Sequence, residues 1–148
     1  MGLSAASDVQ FDYEGSLLLA RKLYALGEEV DEMMSNRRTQ SRTALTDWLG
    51  PYGIEFRGRI SSERTQATAI ASQLREGARQ WAVRWAEAMN EQNSINHARE
   101  TKRIEDNRSG WDNFTGDLFG HDDLPSSPPT IDVPRAPNFY ATGTLERY

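Results

Sequence analysis

Cysteine is absent from all 148 residues, so neither a disulfide nor a thiolate metal site is available. Histidine occurs twice, as His97 and His121. His121-Asp122-Asp123 has the chemistry to touch a metal but lacks further ligands at matched spacing. No glycine-rich phosphate loop is present, and no nucleophile stands with a base and an orienting group. Paired carboxylates such as Glu28 and Glu32 are surface neighbours on one helix face. These absences lead to the expectation of a protein that is not an enzyme and carries no cofactor and no metal. No apolar run approaches the length of a membrane span. The opening Met1 to Ala6 lacks the basic start and apolar core of a signal peptide, and Ala6 stands where a myristoylation pattern needs Ser or Thr. Export would therefore use a route that reads no ordinary signal peptide; otherwise the protein is cytoplasmic. Positive charge is also in short supply. With 17 Lys and Arg against 22 Asp and Glu the net charge is −5, which gives no reason to expect a nucleic-acid partner.

What is present is helix-forming sequence. At 37% apolar content the chain supports one modest helical domain with additional sequence. Residues 1–13 read as a lead-in. From Glu14 to Trp48, Leu, Ala, Glu, Arg and Met dominate and no proline intervenes. Leu19, Leu23, Leu26, Val30 and Met33 follow a four-three spacing, an apolar seam on one face. Ala44-Leu45-Thr46-Asp47-Trp48-Leu49-Gly50-Pro51-Tyr52-Gly53 then interrupts the helix. Gly50 suits the left-handed residue that closes a helix and Pro51 the first turn of the next. A connection this short makes neighbouring helices antiparallel.

The second arm carries the clearer period, with Phe56, Ile60, Ala67, Ile70, Leu74, Gly77, Trp81, Ala88 and Ile95 on or beside a four-three repeat and Trp85 next to it. Folding about Tyr52 places Phe56 against Trp48, Ala67 near Arg37, Leu74 near Val30, Gly77 against Leu26 and Gly27, and Trp81 against Leu23. Beyond Met89 the sequence turns polar, and a helix overhanging to about Arg108, ended by Gly110, is expected. Residues 109–148 contain five prolines and many Asp, Ser, Thr and Gly residues, the composition of an extended or disordered tail. The expected architecture is all-α: a helical hairpin over 14–108 with its turn at 49–53, followed by an irregular C-terminal tail.

Two helices with one seam each leave their flanks wet. Leu17, Leu18, Tyr24 and Trp85 need cover, and a second hairpin would supply it in a four-helix bundle. The alternative is that the tail folds back over them.

Trp48-x-Gly50, with Phe56 eight positions after the tryptophan and Gly58 two further on, resembles the Trp-x-Gly superfamily, the early-secreted-antigen type substrates of type VII secretion in bacteria. The resemblance covers roughly residues 14–95. It implies helical hairpins that pair into four-helix dimers, as homodimer or heterodimer, and that are exported folded without a signal peptide. It makes Trp48, Gly50 and Phe56 the turn motif, while the seams make Leu19, Leu23, Leu26, Val30, Leu74, Trp81 and Trp85 the bundle core that meets a partner. The family's export signal, Tyr-x-x-x-acid after the second helix, has no counterpart there. Tyr24 to Glu28 fits the spacing but lies inside the first arm. Either the partner carries the signal or the chain is a relative that is not itself a standard substrate.

In the tail, Trp111, Phe114, Leu118 and Phe119 stand at helical spacing among aspartates, which suits a segment docking in a partner's groove or covering the hairpin's own seam. Arg37, Arg38, Arg42, Arg57, Arg59 and Arg64 crowd toward the hairpin tip, either as a solvated face or to receive an acidic partner. The leading expectation is a secreted factor, or the helical partner of a larger effector. The second is a structural adaptor of a phage or secretion-machine assembly, laced to its neighbours by the overhanging helix and tail.

Overall fold

The computed structural model describes residues 2–109 and 127–147. Among them all regular structure is helical: a 3-10 turn at Leu3–Ala5, α1 at Tyr13–Leu45 and α2 at Pro51–Ser109. Helix α1 begins after Asp12, a residue type favoured at helix starts, with Glu14 in its first turn and Arg42 in its last, both suited to the helix dipole. It stops at Leu45, short of the expected Trp48. The backbone tightens there into 3-10-type turns, with the amides of Thr46 and Trp48 donating to the carbonyls of Thr43 and Leu45 at 3.4 and 3.2 Å. Trp48 is thereby a loop residue.

Glycine is required twice in this connection. Gly50 has φ of 105°, a conformation disfavoured for residues with a Cβ. A Cβ on Gly53 would lie 2.6 Å from the Trp48 carbonyl oxygen. Pro51 opens α2 as expected, and the Ile54 amide donates to the Gly50 carbonyl at 3.2 Å. The Trp48 and Phe56 rings meet at 5.5 Å, the tip contact anticipated from the sequence. Helix α2 runs to Ser109, close to the expected stop before Gly110.

Two compact units divide the chain, and α2 contributes to both. The hairpin unit comprises Glu14–Ala82 and Arg135–Tyr140. The buried positions on its helices are mostly small: Ala20 and Gly27 on α1, and Ala67, Ala71, Ala78 and Ala82 on α2, with Leu17 and Leu45 the larger helical members. A Cβ on Gly27 would stand 3.1 Å from the Ala71 carbonyl oxygen, so the helix backbones approach closely there. Arg37 pairs with Glu63 at 3.1 Å, and Arg75 binds Glu28 at 2.7 Å and also Asp31. A Cβ on Gly77 would face Leu23 at 3.7 Å. The register thus departs from the expected one, in which Arg37 lay near Ala67 and Gly77 met Leu26. Tyr52 belongs to the first turn of α2 and α1 ends at Leu45, so the midpoint of the fold lies nearer the N-terminus than Tyr52.

The tail, expected to be extended or disordered alone, anchors a turn in this unit. Phe139 is 2% exposed, its ring meets Tyr24 edge-on at 5.9 Å, and Arg21 donates to the carbonyls of Asn138 and Phe139 at 2.6 and 3.4 Å. The other unit comprises Met1–Tyr13, Val83–Pro134 and Ala141–Tyr148, in which described chain without regular structure is bonded to the second half of α2.

Two glycines of α2 are expected to respond oppositely to alanine. Gly53→Ala drives a methyl group into the Trp48 carbonyl and lowers stability by about 1–3 kcal/mol. Gly58→Ala, which meets nothing within 4 Å, raises it by about 0.5–1 kcal/mol. Urea unfolding midpoints measure both, and a neutral Gly53→Ala would show that the close approach does not confine the turn.

Candidate functional site

Among the described residues, the polar run after Met89 carries a dense set of side-chain hydrogen bonds. Asn90, Asn93 and Asn96 recur at three-residue intervals and drift slowly around α2, so their carboxamides reach the same flank. A carboxamide offers a donor and an acceptor side by side, the pair that an extended backbone needs. Asn90 uses both on one residue: its Oδ1 accepts from the Ile131 amide at 2.8 Å and its Nδ2 donates to the Ile131 carbonyl at 3.0 Å. Asn93, 1% exposed, accepts from the Glu146 amide at 2.8 Å and donates to the Thr144 carbonyl at 3.5 Å. Asn96 donates to the Glu146 carbonyl at 3.0 Å. Ile131 is buried, and a Cβ on Gly143 would come within 3.0 Å of it, so the segment also packs on itself.

The other flank holds the N-terminal segment, which is therefore more than a lead-in. Gln92 accepts from the Val9 amide at 2.7 Å and donates to the Asp8 carboxylate at 3.0 Å and to Asn96 Oδ1 at 2.9 Å. Arg99 donates to Asp8 at 2.6 Å and to the Ala6 carbonyl at 2.7 Å. A continuous amide network thus joins Val9 to Glu146 through Gln92 and Asn96. Burial, aided by Glu91 and Asp8, pushes the Tyr13 phenol up, and its hydroxyl donates to the Ala88 carbonyl at 3.4 Å. The Arg99 hydrogen bond, then that of Gln92 and the Coulombic attraction of Arg99, hold Asp8 below its ordinary 3.8.

In the hairpin unit the seam is partly open. Leu19, Leu26 and Met33 are 38%, 47% and 57% exposed, whereas Leu23, Val30, Leu74 and Trp81 are half-buried. Ile70, placed on the seam by hydrophobicity, is exposed, and its neighbour Ala71 is fully buried. Near the tip a groove of about 680 Å³ is lined by Met33, Asn36, Arg37, Ala44, Phe56 and Ile60, among others. Trp48, Leu49, Tyr52 and Ile54 are exposed around the turn. Trp85, expected to meet a partner, is 2% exposed. Trp111, Phe114, Leu118, Phe119 and His121 lie outside the described residues.

The carboxamides escaped the sequence reading because the run was assigned to an overhang. Their three-residue recurrence beside a proline-bearing tail was the available signal. Among the described residues no group of three or more His, Asp or Glu side chains is disposed to hold a metal, and no helix is long and apolar enough to cross a membrane. Compared with family models, with curated proteins and with solved structures, the chain matches none.

Asn93→Leu leaves the Glu146 amide and Thr144 carbonyl without partners, with an expected loss of about 1–3 kcal/mol and of hydrogen-exchange protection at Glu146. Retained protection would mean that the segment is held by packing alone. Acid acts on the other flank. Because folding depresses the Asp8 pKa, its contribution is complete above the ordinary value of 3.8 and disappears as pH falls through the lower folded value. The protection factor of the Val9 amide should fall over that window in the wild type, and Asp8→Asn should lower it already at neutral pH and remove most of the acid dependence.

Proposed function

We propose that this chain is a non-enzymatic helical hairpin of the Trp-x-Gly kind, whose partner is a second hairpin, in the simplest case another copy, laid on its open face to complete a four-helix bundle. The observation that carries this reading is the row Leu19, Leu26 and Met33. These residues recur every seven positions, two helical turns apart, and all are exposed. The row ends at a groove of mixed lining, in which Met33 and Ala44 of α1 and Phe56 and Ile60 of α2 stand among polar residues that include Glu29, Glu32 and Arg37. The antiparallel course of the arms is supported by Leu23 with Gly77, Gly27 with Ala71, and Arg37 with Glu63, pairs whose numbers rise along α1 as they fall along α2. The left-handed Gly50 and the Trp48–Phe56 contact support the resemblance at the turn. The pair acts as a secreted factor, exported without a signal peptide, or as the helical partner of a larger effector.

A second reading, a structural adaptor of a phage or secretion-machine assembly, draws on the carboxamides. Asn90 and Asn93 bond only backbone atoms of the extended segment, and a corresponding segment from a neighbouring subunit would satisfy them equally.

Sedimentation of the full chain is expected to give a dimer. Leu26→Glu with Met33→Glu, which would bury two carboxylates in the new core, should weaken dimerisation by about tenfold or more. A monomeric wild type, or a double variant that dimerises unchanged, would sink the pairing. A larger closed oligomer that survives the double variant and is lost in Asn93→Leu would favour the adaptor instead.

A further inference from the structure

Within the hairpin unit, two helices bring four arginines to one small cavity. Arg37 and Arg38 come from α1, Arg57 and Arg64 from α2, and together with Met34, Ile60 and Ser61 they line a hollow of about 180 Å³. Helical spacing explains the convergence. Positions 57, 60, 61 and 64 share one face of α2, and 34, 37 and 38 share one face of α1. Among the described residues no carboxylate lines the hollow. Glu63 engages Arg37 from outside it at 3.1 Å, and Arg57 makes a long 3.5 Å contact with the Leu45 carbonyl. Among the described residues Arg38 and Arg64 have no ion pair.

Guanidinium groups gathered in this way repel one another, and the surplus does not come from composition, since the chain carries a net charge of −5. A bound anion would relieve the repulsion, and the lining specifies which kind. Each guanidinium presents N–H donors as a planar fork, and Ser61 adds a hydroxyl. A monocarboxylate has two oxygens and one charge, so one fork would satisfy it and the remaining charges would stay uncompensated. A tetrahedral oxyanion with several charged oxygens engages forks arriving from two helices at once. Met34 and Ile60 provide an apolar wall that water solvates poorly, which strengthens charge-assisted bonds made against it.

We propose that this cavity binds a phosphate group, as a pyrophosphate or a phosphate monoester, with Arg38 and Arg64 as its principal ligands and Arg37, Arg57 and Ser61 completing the cradle. The group can be carried by a soluble molecule or by a lipid headgroup, and the experiment separates the two. Calorimetric titration of the full chain with inorganic pyrophosphate at low ionic strength is expected to show saturable binding that weakens as salt is raised. Arg38→Gln with Arg64→Gln should weaken it by about tenfold or more. Arg79→Gln, whose arginine pairs with Glu76 at 2.6 Å and takes no part in the cavity, should leave it unchanged. Ser61→Asp supplies negative charge from within, and should abolish pyrophosphate binding while raising the melting temperature, a gain that a misfolded variant would not show. Absence of saturable binding by the wild type, or equal binding by the Arg38/Arg64 variant, would overturn the proposal. Retention on phosphatidic acid vesicles, but not phosphatidylcholine vesicles, with displacement by pyrophosphate would assign a lipid source. Pyrophosphate binding without vesicle retention would assign a soluble one.

Discussion

A backbone that forms neither helix nor strand must still find partners for its amides and carbonyls when it packs against protein. This constraint governs the unit built on the second half of α2. Ile131, Thr144 and Glu146 lie in chain with no regular structure, and their polar groups are met by side chains of Asn90, Asn93 and Asn96. Gln92 and Arg99 do the same for Ala6 and Val9. The helix thus performs the task usually given to a neighbouring strand, with carboxamides in place of a backbone ladder. Its burial pattern follows: Trp85, Ala88, Met89, Gln92, Asn93 and Ile95 cover more of the helix circumference than a single seam, because extended chain lies on two flanks.

The hairpin unit obeys a different constraint. Two helix backbones approach most closely where the side chains between them are smallest, and dispersion contacts reward that approach. Gly27, Ala71 and Ala78 therefore occupy the line of contact, while leucines and isoleucines of higher hydrophobicity are displaced to its edges. The displaced residues give the open face its chemistry. Leu19, Leu26, Met33 and Ile70 are exposed because alanine and glycine took the interior, and an open apolar row of this kind is the feature from which partner pairing is argued.

Charge adds a third layer. Exposed pairs such as Arg103 with Glu100 and Arg79 with Glu76 sit on single helices and contribute little to stability. Arg75 differs, since it reaches from α2 to Glu28 and Asp31 on α1 and so ties the arms in register. The arginines near the tip differ again: among the described residues Arg38 and Arg64 have no carboxylate partner, and both line a hollow between the arms.

Much of the hairpin was legible in the sequence. The glycine and proline at 50 and 51, the Trp48–Phe56 contact, and the end of α2 near Ser109 follow from local stereochemistry and periodicity, which act within a few residues of chain. Helical character was determined in the same way, by residues that favour helix over 14–45 and 51–109. What only the tertiary structure decided depended on distant partners. Ile70 and Ala71 are both apolar and adjacent, and only the closeness of α1 selects the smaller for the interior. Asn93 reads as a solvated residue until Thr144 and Glu146 arrive beside it, and Phe139 reads as tail until Tyr24 and Arg21 receive it. Propensity is a property of short stretches, whereas burial and the satisfaction of polar groups belong to pairs far apart in sequence.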